Sequence, residues 1–317
     1  QSMYFKPNFY QKSRDQDYIE LMKERYPFES HEVVLSHAAL RKSLKDAMLA
    51  RDLPSMADVD SSLYCFLEKM KEMGESVALS GECADELFGG YPWYTQPHLC
   101  TLTHFPWISS ASDRLSYLKE EFRTMGADNY IKMKIRNTLS CLTFHKETSC
   151  EERQMKKMMK LNLDWFMQTL TDRADRMARA FGMDIRVPFC DVRLVQALYQ
   201  IPWSMKYQDG MEKSLLRKAF VNELPDEIVH RKKSPYPKTH HPEYARMMKE
   251  DYIRMVLDES CPIHQILRKE KLEELIYSEL DTPWYGQLMT VPQTMAYFLQ
   301  INDWLKEYDV EIIHPKG

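Results

Sequence analysis

The segment Val77–Tyr91, VALSGECADELFGGY, decides the fold class. A short apolar run stops at Ser80-Gly81 and is followed at once by the carboxylates Glu82, Asp85 and Glu86. Buried strands of parallel sheets read as continuous apolar runs, and in open α/β sheets ligands bind beyond the carboxyl ends of the strands. At i, i+3 and i+4 the three acids share one face of a helical turn, and hard carboxylate oxygens suit Mg²⁺. The bland alternative is that they cap a short helix, whose N-terminal dipole favours negative charge, with Gly89-Gly90 closing it in a turn. The segment carries no GxxxxGK[ST], so it is not a Walker A loop.

Outward from that loop the pattern alternates. Tyr18, Leu21, Met22 and Tyr26 predict a helix over Asp17–Tyr26, and Val33–Leu35 reads as a short strand. Leu40, Leu44, Ala47 and Met48 mark a second helix, Ser62–Met73 a third that stops at Gly74, and Ser76–Ser80 a second strand. This alternation is the signature of a parallel α/β sheet. After about Pro106 the strands are expected to disappear in favour of helices over Asp113–Met125, Asp128–Leu142, Leu161–Phe181, Met211–Val221 and Pro242–Leu257. Sparse glycine and plentiful methionine agree with a mainly helical second half. Pro97–Ser112 and Ser234–Pro242 are the only candidate linkers, and there is no internal repeat.

The 317 residues suffice for one large domain or two intimately packed ones. A net charge of −4 with both signs interspersed leaves no basic stripe for nucleic acid. No apolar run approaches the roughly 18 residues of a membrane span, which makes the cytoplasm the expected location. Seven cysteines without regular spacing read as free thiols of a reducing compartment. Cys141, His145 and Cys150 come nearest to metal-ligand spacing, but no CxxC and no second ligand pair accompany them. Gln1, Ser2 and Met3 read as the scar of a removed tag.

The stretch LSGECADELFGGYPWY closely resembles a signature of the asparagine synthetase family. A second segment, Asp175–Asp191 (DRMARAFGMDIRVPFCD), is similar to the family's DR…ExRxPFxD motif, and MEKSLLRKAF from Met211 resembles the helix that carries its active-site lysine. The resemblance spans nearly the whole chain. It implies a partial PP-loop ATP-pyrophosphatase-like (adenine nucleotide α-hydrolase) α/β sheet over residues 4–105, with a mainly helical region, 106–317, packed on it. It also implies a chemistry in which ATP activates aspartate as β-aspartyl-AMP and ammonia then displaces AMP. On that resemblance Ser80 and Gly81 contact the adenosine, Asp85 helps hold Mg²⁺, Glu82 manages the proton of the attacking ammonia, and Lys213 stabilises developing negative charge. Arg173, Asp184 and Arg186 fall where substrate, phosphate or architectural residues stand, a structural salt bridge being the equal alternative. Lys232 and Lys233 read as a basic pair on a solvated loop, within reach of phosphate.

The sequence departs from the family in two places. Nothing corresponds to the glutaminase domain with its leading cysteine, which would deliver the ammonia, and no SGGxDS pyrophosphate-binding loop precedes Tyr4. Without that loop the expectation is a lost partner for Asp85 and an exposed sheet edge that favours a homo-oligomer or a companion chain. The alternatives are a non-catalytic remnant that keeps the fold and binds nucleotide, and an amide ligase of the β-lactam synthetase kind.

Overall fold

Among the described residues, four short strands form two parallel pairs: β1 (Ser2–Tyr4) with β2 (Glu32–Val34), and β3 (Val77–Leu79) with β4 (Asp184–Arg186). The computed structural model describes residues 2–4, 15–96, 98–100, 102–108, 114–123, 126–233, 241–278 and 289–313. Helices Asp15–Arg25, His37–Lys42, Leu44–Arg51 and Asp58–Glu72 fill the intervals between the first three strands. The alternation read from the sequence is therefore present, but as two separate two-stranded sheets rather than one continuous PP-loop-like sheet. Ser2 and Met3, read as a scar, lie in β1 opposite Glu32 and Val33.

Strand β4 corrects the expectation that strands end near Pro106. Asp-Ile-Arg carries one apolar residue and has no strand pattern of its own. The extended state comes from its partner, with Val77, Ala78 and Leu79 in register with Asp184, Ile185 and Arg186. Side chains alternate across a strand, so Ala78 and Ile185 share one face. That face packs on Leu67 and Met70 of the Asp58–Glu72 helix and on Met177, Ala178 and Met183. Val77 and Leu79 alternate with Ala78, and Leu79 is 76% exposed.

The second half is largely helical. Helix Pro242–Leu257, as predicted, buries Tyr244, Met248, Tyr252, Met255 and Val256, the three- and four-residue spacing of one helical face. It crosses helix Val291–Glu307, whose pattern is masked because Gln293, Thr294, Gln300 and Asn302 are buried along with its apolar residues. The stretch expected as Leu161–Phe181 runs continuously from Cys150 to Arg179, widening into a π-helical segment at Asn162–Met167. The expected Asp113–Met125 helix is broken. Tertiary bonds compete there: Lys119 N–H donates to the Ile266 carbonyl (3.0 Å) and Arg268 N–H donates to the Tyr117 carbonyl (2.8 Å), so the chain leaves the helical state after Arg114 and Leu115 and regains it only at Glu120–Arg123. Asp113, Thr124 and Met125 lie outside the described residues, as does most of the Ser234–Pro242 stretch.

An aromatic cluster anchors the far end of the acidic loop. Tyr91 stacks on Trp93 (4.4 Å between centroids), and Trp93, Tyr94, Phe105, Trp107, Phe166 and Trp203 form a common core. Trp93 Nε1 donates to Asn162 Oδ1 at 3.2 Å, so the π-helical segment supplies both an apolar wall and a polar tether. Phe105 and Trp107 thus build core within a stretch whose composition reads as a linker.

Candidate functional site

The acidic loop is held by its backbone at both ends. Ser80 N–H donates to the Arg186 carbonyl (2.8 Å), extending the β3–β4 ladder by one step, and Ser80 Oγ accepts from Glu82 N–H (3.2 Å). Cys83 then turns left-handed (φ 76°), helix Ala84–Phe88 runs for five residues, and Gly89 (φ 76°) ends it. The N–H groups of Gly89 and Gly90 both donate to the Asp85 carbonyl, at 3.0 and 2.9 Å. A Cβ on Gly90 would stand 1.8 Å from Asp85 Oδ1, and one on Gly89 would stand 2.4 Å from the Trp203 ring. The paired glycines thus terminate the helix and make room for the carboxylate.

Cys83 is joined to Cys190 in a disulfide, with Cα atoms 6.0 Å apart. This corrects the reading of seven free thiols; the other five are free. Each bridged cysteine lies four residues beyond the Leu79–Arg186 register pair, a proximity hidden by a separation of 107 residues.

Asp85 is the electrostatic centre of the site. Lys233 Nζ lies 2.5 Å from Oδ2 and Lys213 Nζ 3.0 Å from Oδ1, the latter an ion pair that leaves the buried Oδ1 without an aligned hydrogen bond. Burial pushes the Asp85 carboxyl upward, but the fields of Lys233 and then Lys213 outweigh it and hold the group below the ordinary aspartate value. Lys213 does not sit inside a Met211–Val221 helix. It occupies the left-handed position (φ 58°) just before helix Ser214–Ala219, after a tight Asp209-Gly210 turn. The correction has a local cause: Ser214 Oγ donates to the Met211 carbonyl and accepts from Gln208 N–H, tying the chain into a turn where a helix would otherwise begin.

Glu82 meets Arg173 of helix Gln168–Arg179 at 3.6 Å, and its Oε2 is buried without a hydrogen-bond partner. Burial raises the Glu82 carboxyl above the usual value, opposed by Arg173 and by the bond at Ser80. Glu86, third of the acids, accepts from the Tyr91 hydroxyl (2.8 Å) and is pushed by burial up to about 7. Gly81 is exposed, with nothing within 4 Å of where a Cβ would stand, so its backbone is approachable.

A cavity of about 650 Å³ opens beside Asp85. Lys213, Arg217, Arg231, Lys232 and Lys233 line it against two acids, Asp15 and Asp85, with Phe189, Leu216 and Phe220 among its apolar wall. Such a lining suits a polyanion with an apolar portion. Asp184 and Arg186 are not brought there. They occupy exposed positions on β4 flanking the inward Ile185, and the Arg186 carbonyl rather than its guanidinium serves the loop. Sequence spacing did not single out Lys233 as a partner of Asp85; the signal was its basic pair, read as solvated.

The donor set fits magnesium in one form only. No group of three or more His, Cys, Asp or Glu side chains poised for a metal exists among the described residues. Asp85, at the cavity wall, offers one carboxylate, which matches an ion that arrives on phosphate oxygens and not one held in an all-protein cage. No helix among the described residues is long and apolar enough to cross a membrane.

Comparison with known proteins gives the family. The sequence model of the family described as asparagine synthase matches residues 2–306. "Asparagine synthetase [glutamine-hydrolyzing] 3" of Bacillus subtilis (strain 168) is 39% identical over 314 residues, covering 98% of this chain and 50% of that protein. "Asparagine synthetase [glutamine-hydrolyzing] 1" of the same organism is 28% identical over 212 residues (57% of this chain, 34% of that one), and the Rattus norvegicus enzyme is 36% identical over 102 residues (31% and 18%). The chain spans about half the length, or less, of these curated relatives. By class, then, it falls among proteins that share a synthetase sequence family. It belongs to the glutamine-hydrolysing asparagine synthetase family.

Proposed function

We propose that this chain carries the ATP-dependent amide-forming reaction of its family, with aspartate as acceptor and ammonia as nitrogen donor. The observation that carries the reading is the cation-lined cavity at Asp85, to which all three family-like segments contribute: Asp85 of the acidic loop, Lys213, Leu216 and Arg217 of the MEK segment, and Phe189 of the third, which β4 holds against the loop. In the first step an oxygen of aspartate's side-chain carboxylate attacks the α-phosphorus of ATP, and pyrophosphate departs with the bonding pair. In the second, ammonia attacks the acyl carbon, AMP leaves, and one proton is released.

The backbone of Ser80 and Gly81 is the adenosine contact in this reading, since Gly81 presents no side chain to obstruct it. Asp85 would hold Mg²⁺ carried on the phosphates; the ion supplies charge neutralisation there. Lys213, fixed in position by its left-handed turn, places a cation where negative charge develops. Glu82 is the proton acceptor for attacking ammonia: burial raises its basicity, while the Arg173 guanidinium 3.6 Å away holds it in place and opposes that rise. Asp184 and Arg186 act in this reading through the strand that supports the loop. The cytoplasm, where ATP and free aspartate are plentiful, is the proposed location.

The test is calorimetric titration with Mg-ATP followed by a pyrophosphate-release assay with aspartate and ammonium. Binding, then release dependent on both, is expected, with Lys213→Met and Glu82→Gln abolishing release. Binding without release overturns the catalytic reading in favour of a nucleotide-binding role alone.

A further inference from the structure

Four of the five basic side chains of the cavity, all but Lys232, divide into fixed and movable groups. Arg217 is fixed. Its Nε donates to the Glu212 carbonyl (2.7 Å), Nη2 to the Glu212 carboxylate (2.8 Å) and the Arg231 carbonyl (2.9 Å), and Nη1 to the Val229 carbonyl. Arg231 is paired with Asp15 and lies 4.2 Å over the Tyr18 ring, pinning helix Asp15–Arg25 to the cavity wall. These two guanidiniums are wall material.

Lys213 and Lys233 differ, because both place an ammonium on the single carboxylate of Asp85. One carboxylate neutralises one ammonium, so an uncompensated positive charge faces the cavity. Lys213 is constrained by its turn. Lys233 instead sits on a flexible four-carbon stem with a 28% exposed side chain, its Nζ 4.6 Å over the Tyr91 ring. A cation–π contact and an ion pair of this kind are both exchangeable for a phosphate oxygen at small net change. The same displacement would uncover Asp85 Oδ2, the oxygen a hard cation needs.

We propose that Lys233 is an exchangeable counter-ion: it holds Asp85 when no polyphosphate is bound and transfers to a phosphate oxygen when the magnesium salt enters, releasing Asp85 Oδ2 to the metal. Metal and lysine compete for one oxygen, and the incoming anion resolves the competition in the metal's favour. Binding of the ion and of the polyphosphate is thereby coupled through this side chain. The inference rests on the reading of the cavity as a phosphate site.

The coupling predicts opposite effects from one substitution. With the whole chain, Mn²⁺ alone is titrated by its paramagnetic signal, and inorganic pyrophosphate by calorimetry in saturating Mg²⁺. Lys233→Met should bind Mn²⁺ about fivefold more tightly, because a competing ion pair is gone. It should bind magnesium pyrophosphate about tenfold or more weakly, because a charge-assisted contact is gone. Lys233→Arg, which keeps the charge, should retain pyrophosphate affinity and controls for misfolding. If Lys233→Met leaves both affinities unchanged, or weakens both, the exchange is refuted while the phosphate site stands. If the wild-type chain binds neither Mg-ATP nor pyrophosphate, the reading beneath the inference falls and the inference with it.

Discussion

Glu86→Gln isolates the most heavily penalised charge of the acidic loop. The Glu86 carboxyl is buried, accepts one hydrogen bond from Tyr91, and leaves Oε2 without a hydrogen-bond partner. Burial raises it from the usual 4.5 to about 7. Below pH 4.5 the group is protonated folded and unfolded, and it contributes no pH dependence. Between 4.5 and 7 the unfolded chain gives up the proton while the folded chain keeps it, so stability falls as pH rises. At about 1.36 kcal/mol per pH unit, the loss reaches about 3 kcal/mol by pH 7 and stays constant above. Glutamine preserves the acceptor for Tyr91 and cannot ionise. Urea unfolding of both proteins from pH 4 to 8.5 should therefore show the variant gaining on the wild type through that window, ending up to about 3 kcal/mol more stable at pH 8. Two pH curves that run parallel would refute the assignment of a buried, proton-retaining carboxyl.

Three further outcomes are expected. Lys206, buried 3.5 Å from Met159 Sδ, is lowered by burial to about 8, so Lys206→Met should raise stability by up to about 3 kcal/mol at pH 7. That gain should shrink as pH climbs from 8 to 10.5, because the wild-type lysine then loses its charge, and unfolding midpoints at pH 7 and 10 measure it. Gly90→Ala drives a methyl group into Asp85 Oδ1 and should destabilise the fold by about 1–3 kcal/mol while disrupting Mg-ATP binding, read by melting and calorimetry. Non-reducing peptide mapping should recover Cys83 linked to Cys190, and replacing both with serine should lower the unfolding free energy by about 2–4 kcal/mol.

What the sequence disclosed follows from how local each signal is. The turn from strand into acidic helix at Val77–Phe88, and the helix Pro242–Leu257, rest on contiguous residues whose pattern is complete in itself. Strand β4 was invisible because Asp-Ile-Arg is extended only by virtue of pairing with residues 107 positions away. Helix Val291–Glu307 escaped notice because four polar residues are buried among its apolar ones and blur the helical period. At the site, family-like motifs named Glu82, Asp85 and Lys213, but not that Lys213 would precede its helix or that Lys233 would share Asp85. The disulfide and the Arg173–Glu82 pair belong to the same group: contacts between segments, which residue types foreshadow and only the fold assembles.

The pairing of β3 with β4 also sets a schedule for synthesis. At about 5–20 residues per second, a ribosome that has released Val77–Leu79 needs roughly 5–20 s more to deliver Asp184–Arg186. Throughout that interval the acidic loop has neither its neighbouring strand nor Cys190, and Lys213 and Lys233 are still unmade. A nascent chain halted before Arg186 would therefore hold helices without a site, whereas one continued past Lys233 would hold every charge that gathers on Asp85.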